Sequence, residues 1–302
     1  MTRQPTLPRN SASPTQTTRQ RQRAFKQIRT ALAGVQRGVI ERFEQIGHRV
    51  VSGNAEGDSN QTYEYLLDQF VLDDMNSYIA ELINELVMRA INGEPIVVGQ
   101  AELAYQQGTA AAVTNIAAQT AVLTRTVEQT LMSEPYRRRI ALVRARLFEQ
   151  MQGFTDQSRT DLARVLAEGM ARGQSPRTIA RTIRYRIGVA QSRAERIART
   201  EINVAHRQAI RDEDQQVNQE GIKTRLLWLS ALLSTTRQTH AALHGKVMTR
   251  QEVDDFYSRD ANSINCRCSQ TSILVDDDGK PLSNALPSKL KLQGAKFFKA
   301  AA

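Results

Sequence analysis

The sequence predicts an α+β protein that is mainly α, with an elongated helical N-terminal body followed by a small C-terminal α+β domain carrying a short sheet. Three observations predict it. Aromatic residues are only 5% of the 302, which leaves few bulky anchors for a large core and suits long helices meeting through small side chains. Apolar residues recur at spacings of three and four in successive stretches between Phe25 and Ile187, the period of an amphipathic helix. Beyond Gly221 the pattern changes to short runs rich in Leu, Ile and Val, bounded by turn residues, as strands are.

Residues 1–22 combine Pro, Thr, Ser, Gln and Arg with no acid. Such a composition buries too little apolar surface to order itself and reads as a disordered basic arm. The helical body, 23–172, opens with Phe25, Ile28, Leu32, Val35, Val39, Phe43 and Ile46 on one helix, ended by the Gly-, Asn- and Ser-rich stretch 52–60. A second helix is expected over 63–91, stopping at Asn92-Gly93. From 101 to 132 the chain is Ala-rich with a thin stripe that includes Leu103, Val113 and Val127, which suits close helix packing or a coiled-coil seam. Ser133, as N-cap before Glu134-Pro135, starts a helix closed by Gly153; another runs from about 155 to Gly173. The next domain, 173–279, begins with Ser175-Pro176 capping a segment that holds Ile179, Ile183 and Ile187. A long helix over about 190–220 then stops at Gly221. Strands are expected at 224–230 and 269–275, with a turn at Asp277-Asp278-Gly279. Residues 280–302 carry five lysines and no acid and read as a flexible basic tail.

Composition also bounds function. Two Cys give no disulfide framework and point to a reducing compartment. No apolar run is long enough for a membrane span and the N-terminus lacks a signal peptide's apolar segment, so a soluble protein made in the cytoplasm is expected. The net charge is +10, and between Arg137 and Arg199 arginines far outnumber acids. Guanidinium groups grip phosphate, so non-specific contact with double-stranded DNA is one reading, with Arg137, Arg138, Arg139, Lys289 and Lys291 as candidate contacts. An acidic protein partner would explain the same excess. No nucleophile elbow, phosphate loop or His-Glu-x-x-His is present, and no catalytic activity is expected.

Rare residues crowd into one stretch. It holds the only Trp, Trp228, then Arg237, His240, His244 and Gly245, and finally Asn265-Cys266-Arg267-Cys268 with both Cys. His240 and His244 are four apart, one face of a helix; Cys266 and Cys268 are two apart, one face of a strand. Together they are four ligands of the kind zinc prefers. Against zinc, Cys-x-Cys is a less usual spacing and Gly245 suggests a turn that swings His244 away. The favoured reading has no metal and no cofactor: His240 hydrogen-bonds a backbone group, the thiols are small buried hydrophobes, and Arg237 and His240 clasp the 265–268 segment. Upstream, Ala198-Arg199-Thr200-Glu201 and Asn203 lie on a helix, with Arg199 and Asn203 on one face and Glu201 on another.

In that order these motifs resemble the phage Mu protein F-like head morphogenesis family, the minor head proteins of tailed bacteriophages, over roughly residues 173–275. The resemblance implies a minor head protein made in the host cytoplasm, inside the capsid near the portal, and acting in head assembly or in the path of packaged and ejected DNA. Its implied partners are the portal and other capsid proteins. It also implies that Arg199, Glu201, Asn203, Trp228, Arg237, His240, Gly245 and the segment 265–268 matter to the domain. Some relatives of this domain are fused to toxin enzymes, and nothing here resembles such an added enzymatic domain. Two alternatives stand beside it: a DNA-binding or nuclease-like enzyme, which would require a divalent metal and clustered carboxylates, and a self-assembling helical scaffold forming homo-oligomers.

Overall fold

The computed structural model describes residues 4–52, 61–66 and 69–301, the side chains of 300 and 301 excepted. The expected breaker at 53–60 lies outside the described residues. Among the described residues the chain is mainly helical with two small sheets, as the sequence predicts. It divides into two compact units rather than at a single boundary near 173. One unit comprises 1–22, 99–144 and 198–302; the other comprises 23–98 and 145–197. Among the described residues no helix is long and apolar enough to cross a membrane.

The second of these units takes most of helix α1 (Thr18–Glu44), whose Ile28, Leu32, Val35, Val39 and Phe43 are buried as their spacing predicts. The antiparallel strands β1 (His48–Ser52) and β2 (Thr62–Tyr65) follow. The expected helix over 63–91 therefore starts later. Tyr63 and Tyr65 alternate in β2, where Tyr65 is buried against Phe43 and its hydroxyl donates to Gln174 O at 2.7 Å. Helix α2 (Gln69–Ile83) continues into a π-helical turn, Asn84–Met88.

Two expected breaks are absent. Helix α5 (Glu134–Ala171) runs straight through Gly153, because its apolar stripe of Val143, Leu147, Met151, Phe154, Leu162 and Leu166 is continuous and buried. A helical glycine costs about 1 kcal/mol, which that burial outweighs. Helix α6 (Pro176–Gln219) likewise joins the two helices expected around 188–190 into one of 44 residues, about 66 Å at 1.5 Å per residue.

The first unit holds α3 (Val98–Gln119) and α4 (Val127–Met132), the early part of α5, the later half of α6 and everything after it. The helix expected over 101–132 is thus split at 120–126, and Thr126 with Gln129 forms a capping box for α4. Helix α3 lies close on α6 at Gly108, where a Cβ would stand 2.3 Å from His206 O and 2.8 Å from Ala209 Cβ. The sheet is built from β3 (Thr224–Leu229), β4 (Val247–Met248) and β5 (Ser269–Leu274), antiparallel in the order β4-β3-β5. Strand side chains alternate, and β3 is buried on both faces. Leu226 and Trp228 pack with Ala112, Ile210, Met248, Val253 and Tyr257; Leu227 and Leu229 pack with Ile273, Leu286 and Leu290.

The last two of these leucines belong to α9 (Ala285–Ala301), so the expected flexible tail is a helix that covers one face of the sheet. Part of the expected disordered arm is also ordered. Thr15 and Thr17 are buried and hydrogen-bonded to Asn203, and α1 begins at Thr18. The arm's composition hid this because the contacts are polar. Short helices α7 (Gln238–Ala241) and α8 (Arg250–Ser258) complete the unit, the latter capped by Thr249 and Glu252.

Candidate functional site

The site forms where α6 meets the turn before β5. Residues 199, 203, 207 and 211 lie four apart and share one helix face. Arg199 Nη1 donates to Asn265 Oδ1 at 3.2 Å, and Thr200 Oγ1 accepts the Asn265 N–H at 3.1 Å. Asn265 sits at φ +56°, a conformation that Asn tolerates better than most residues. Asn203 Nδ2 donates to Cys266 O at 2.8 Å, while Asn203 Oδ1 accepts from Thr17 and Thr15 at 2.6 and 3.3 Å. The fully buried Arg207 donates to Cys266 O at 3.2 Å and to Ser263 O at 3.4 Å, and its guanidinium lies 4.3 Å from the centre of the Tyr257 ring. Glu201 faces elsewhere on the helix, near enough for its charge to act on Arg207.

A second set of contacts holds the same turn from its other side. Arg237 precedes α7 and donates to Asn262 O at 3.2 Å and Ile264 O at 3.0 Å. The expected clasp is therefore displaced: Arg237 holds the carbonyls just before the 265–268 segment, and only His240 reaches the cysteines. His240 Nδ1 lies 3.3 Å from Cys266 Sγ and 3.8 Å from Cys268 Sγ, and its Nε2 lies 3.2 Å from Asn262 Oδ1. Asn262 Nδ2 donates to Phe256 O at 2.9 Å, which turns the amide oxygen toward the imidazole, and Arg237 Nη1 lies 3.4 Å from the same Nε2. The ring of His240 packs edge-on against Phe256 and Trp228, and Trp228 stacks on Tyr257.

Both cysteines are free and buried. They lie in the extended turn ahead of β5, not in the strand. The Cys266 thiol is held well below the ordinary thiol range, first by the hydrogen bond from Cys268 and then, against its burial, by the Arg207 guanidinium and His240. Cys268 is pushed up, by donating that bond and by burial. His244 does not join them. Helix α7 stops at Ala241, and the His244 ring turns away so that Nδ1 accepts the Ser230 N–H at 2.9 Å; burial lowers its pKa. Gly245 requires its glycine twice over, at φ +79° and with Lys291 N 2.7 Å from where a Cβ would stand.

The remaining expected residues divide. Arg267 is exposed, and with Arg199 it brings like charge toward the buried Arg21, whose pKa falls to about 10, first through burial and then through those two neighbours. Arg139 is not a free cation on the surface. It pairs with the buried Glu213 at 2.8 Å, which Arg125 also reaches at 3.1 Å. Arg138 pairs with Glu134 along its own helix; Arg137, Lys289 and Lys291 are exposed. The acids near the end of α6 face basic groups of the same chain, as Asp212 does with Arg250 at 3.1 Å. Arg207, Asn262, Thr15 and Thr17 escaped the sequence reading. Arg207 could have been found, since it extends the 199–203 spacing by one more turn.

A cavity of about 100 Å³ opens beside this turn, lined by His240, Cys266, Cys268, Arg237, Asn265 and Arg267 among others. A buried His and Cys cluster, a helix face that fixes the turn carrying it, and a small mouth are what the fold presents.

Comparison with known proteins finds, over part of this chain, similarity to a phage head-related family. The family is the one described as Phage Mu protein F like protein, whose model matches residues 160–271, so the resemblance read from the motifs holds across that segment. A curated relative is the NAD(+)--arginine ADP-ribosyltransferase EFV of Enterococcus faecalis, 27% identical over 149 residues that cover 45% of this chain. The chain spans only 30% of that relative's length. No solved structure matches.

Proposed function

We propose that this protein is a minor head protein of a tailed phage that works inside the head near the portal as a structural, non-catalytic component. What supports the reading is the family match over 160–271. The site is consistent with it, because its polar groups are spent inside the protein. Asn203, Arg207 and Arg237 all donate to backbone carbonyls of one turn, which is how a fold fixes a loop. Portal and other capsid proteins are the partners this role requires. The reading assigns no ADP-ribosyl transfer to this chain, and what the relative's name states is kept to the relative.

Purified phage particles, stripped of external DNA and separated from empty heads, test it by quantitative mass spectrometry. A few copies per particle, retained in portal-containing heads and lost from portal-less ones, are expected. Absence from particles, or presence at the copy number of the main capsid protein, would overturn it.

A further inference from the structure

We propose that His240, Cys266 and Cys268 bind a zinc ion through Nδ1 and the two Sγ atoms, with water in the fourth position facing the adjoining cavity. The sequence offers His240, His244, Cys266 and Cys268 as one set of four ligands. The structure removes His244 from that set and brings the other three together, their ligand atoms all within 4.8 Å of one another.

The separations fit a tetrahedron. With Zn–S near 2.3 Å and Zn–N near 2.05 Å, adjacent ligand atoms stand about 3.6 Å apart for N and S and about 3.8 Å for two S. The Nδ1 to Sγ distances of 3.3 and 3.8 Å bracket the first value. A histidine that binds metal almost always donates its other N–H to a carbonyl or carboxylate, which fixes the tautomer. His240 has that partner in Asn262 Oδ1, itself oriented by Phe256 O, so the lone pair of Nδ1 points at the two sulfurs.

Charge balances as well. Two thiolates offset the dication, so the metal and its protein ligands are neutral together. Such a sum near zero is what a buried cluster of charges needs. Access is provided by the cavity, which the three ligands line together with Asn265 and Arg267. Thiolate and imidazole donors in tetrahedral array select zinc over harder cations.

The full chain, purified without chelator, should carry about one zinc per molecule by elemental mass spectrometry. After removal of zinc under reducing conditions, cobalt(II) should produce the intense visible bands of a tetrahedral site and a sulfur-to-cobalt charge-transfer band. Cys266→Ser, Cys268→Ser and His240→Ala should each lose both signals, and His244→Ala should keep them. Should a ligand variant fail to fold, Asn262→Ala provides the second arm: it leaves all three ligands in place and should weaken metal affinity by about 10- to 100-fold. A folded wild-type chain that takes up neither ion overturns the site. So does loss of the cobalt spectrum in His244→Ala, or an affinity unchanged in Asn262→Ala. None of these outcomes depends on whether the protein is found in phage heads.

Discussion

Lowering the pH from 7 to 5 should destabilise the first unit through one residue, His206. Its ring is buried on α6, and its Nδ1 has no hydrogen-bond partner among the described residues. Burial first, and the neighbouring Arg207 charge second, push its pKa down from 6.5 to about 3. The sign follows from proton uptake. Between pH 6.5 and 3 the unfolded chain binds a proton at His206 that the folded chain refuses, so the contribution is complete above 6.5 and is lost as pH falls toward the folded pKa. The slope in that window approaches ~1.4 kcal/mol per pH unit, which gives about 2 kcal/mol between pH 6.5 and 5. Glu213 and Asp214 act the other way, since burial raises both carboxyls and the folded chain then holds protons more tightly as pH falls. A comparison with His206→Gln cancels their share. Urea unfolding followed by the fluorescence of Trp228, the only Trp and buried in the same unit, provides the assay. The wild type should lose about 2 kcal/mol more than His206→Gln between pH 6.5 and 5. Parallel pH profiles would refute the reasoning.

Other outcomes follow from the same geometry. Gly108→Ala drives a methyl against His206 O at 2.3 Å and should cost about 1–3 kcal/mol, as overpacked contacts do; an unchanged thermal midpoint would mean that α3 and α6 separate freely there. Asn203→Ala strips one bond from Cys266 O and both from Thr15 and Thr17 and should cost about 2–3 kcal/mol, read as a lower urea midpoint, which a polar contact made only in passing would leave unmoved. Glu213→Gln takes the shared carboxylate from Arg125 and Arg139, which keep Glu220 and Gln216, and should cost about 1–3 kcal/mol, as charged hydrogen bonds do; an unchanged unfolding free energy would contradict the contact.

Legibility in the sequence followed the strength of the periodic signal. The apolar stripe of α1 and the two strands β3 and β5 were plain, because burial on a helix face or in a sheet leaves a period that single residues do not erase. Gly153 misled, since a glycine reads as a stop although an uninterrupted stripe can carry it. The tail misled in the opposite sense. Leu286 and Leu290 are four apart, enough to seat α9 on Leu227 and Leu229, but the lysines between and beyond them dominated the composition. At the site, Arg199, Asn203, His240 and the cysteines were legible as rare or regularly spaced groups. That His244 turns away, and that Thr15 and Thr17 reach Asn203, depends on contacts between stretches up to 188 residues apart, which no local pattern encodes.

Those distant contacts set a timetable. One unit is finished once residue 197 has been made, whereas the other gathers 1–22, 99–144 and 198–302. Domains fold as units while the chain emerges, so 23–98 and 145–197 can settle first. Thr15 and Thr17 are synthesised well before Asn203 and the Cys266 carbonyl that it holds. During that interval the segment carrying Thr15 and Thr17 waits without its partner, exposed to whatever binds it first. Replacing Thr15 and Thr17 would therefore be felt at the cysteine turn, as a failure of a late step of folding.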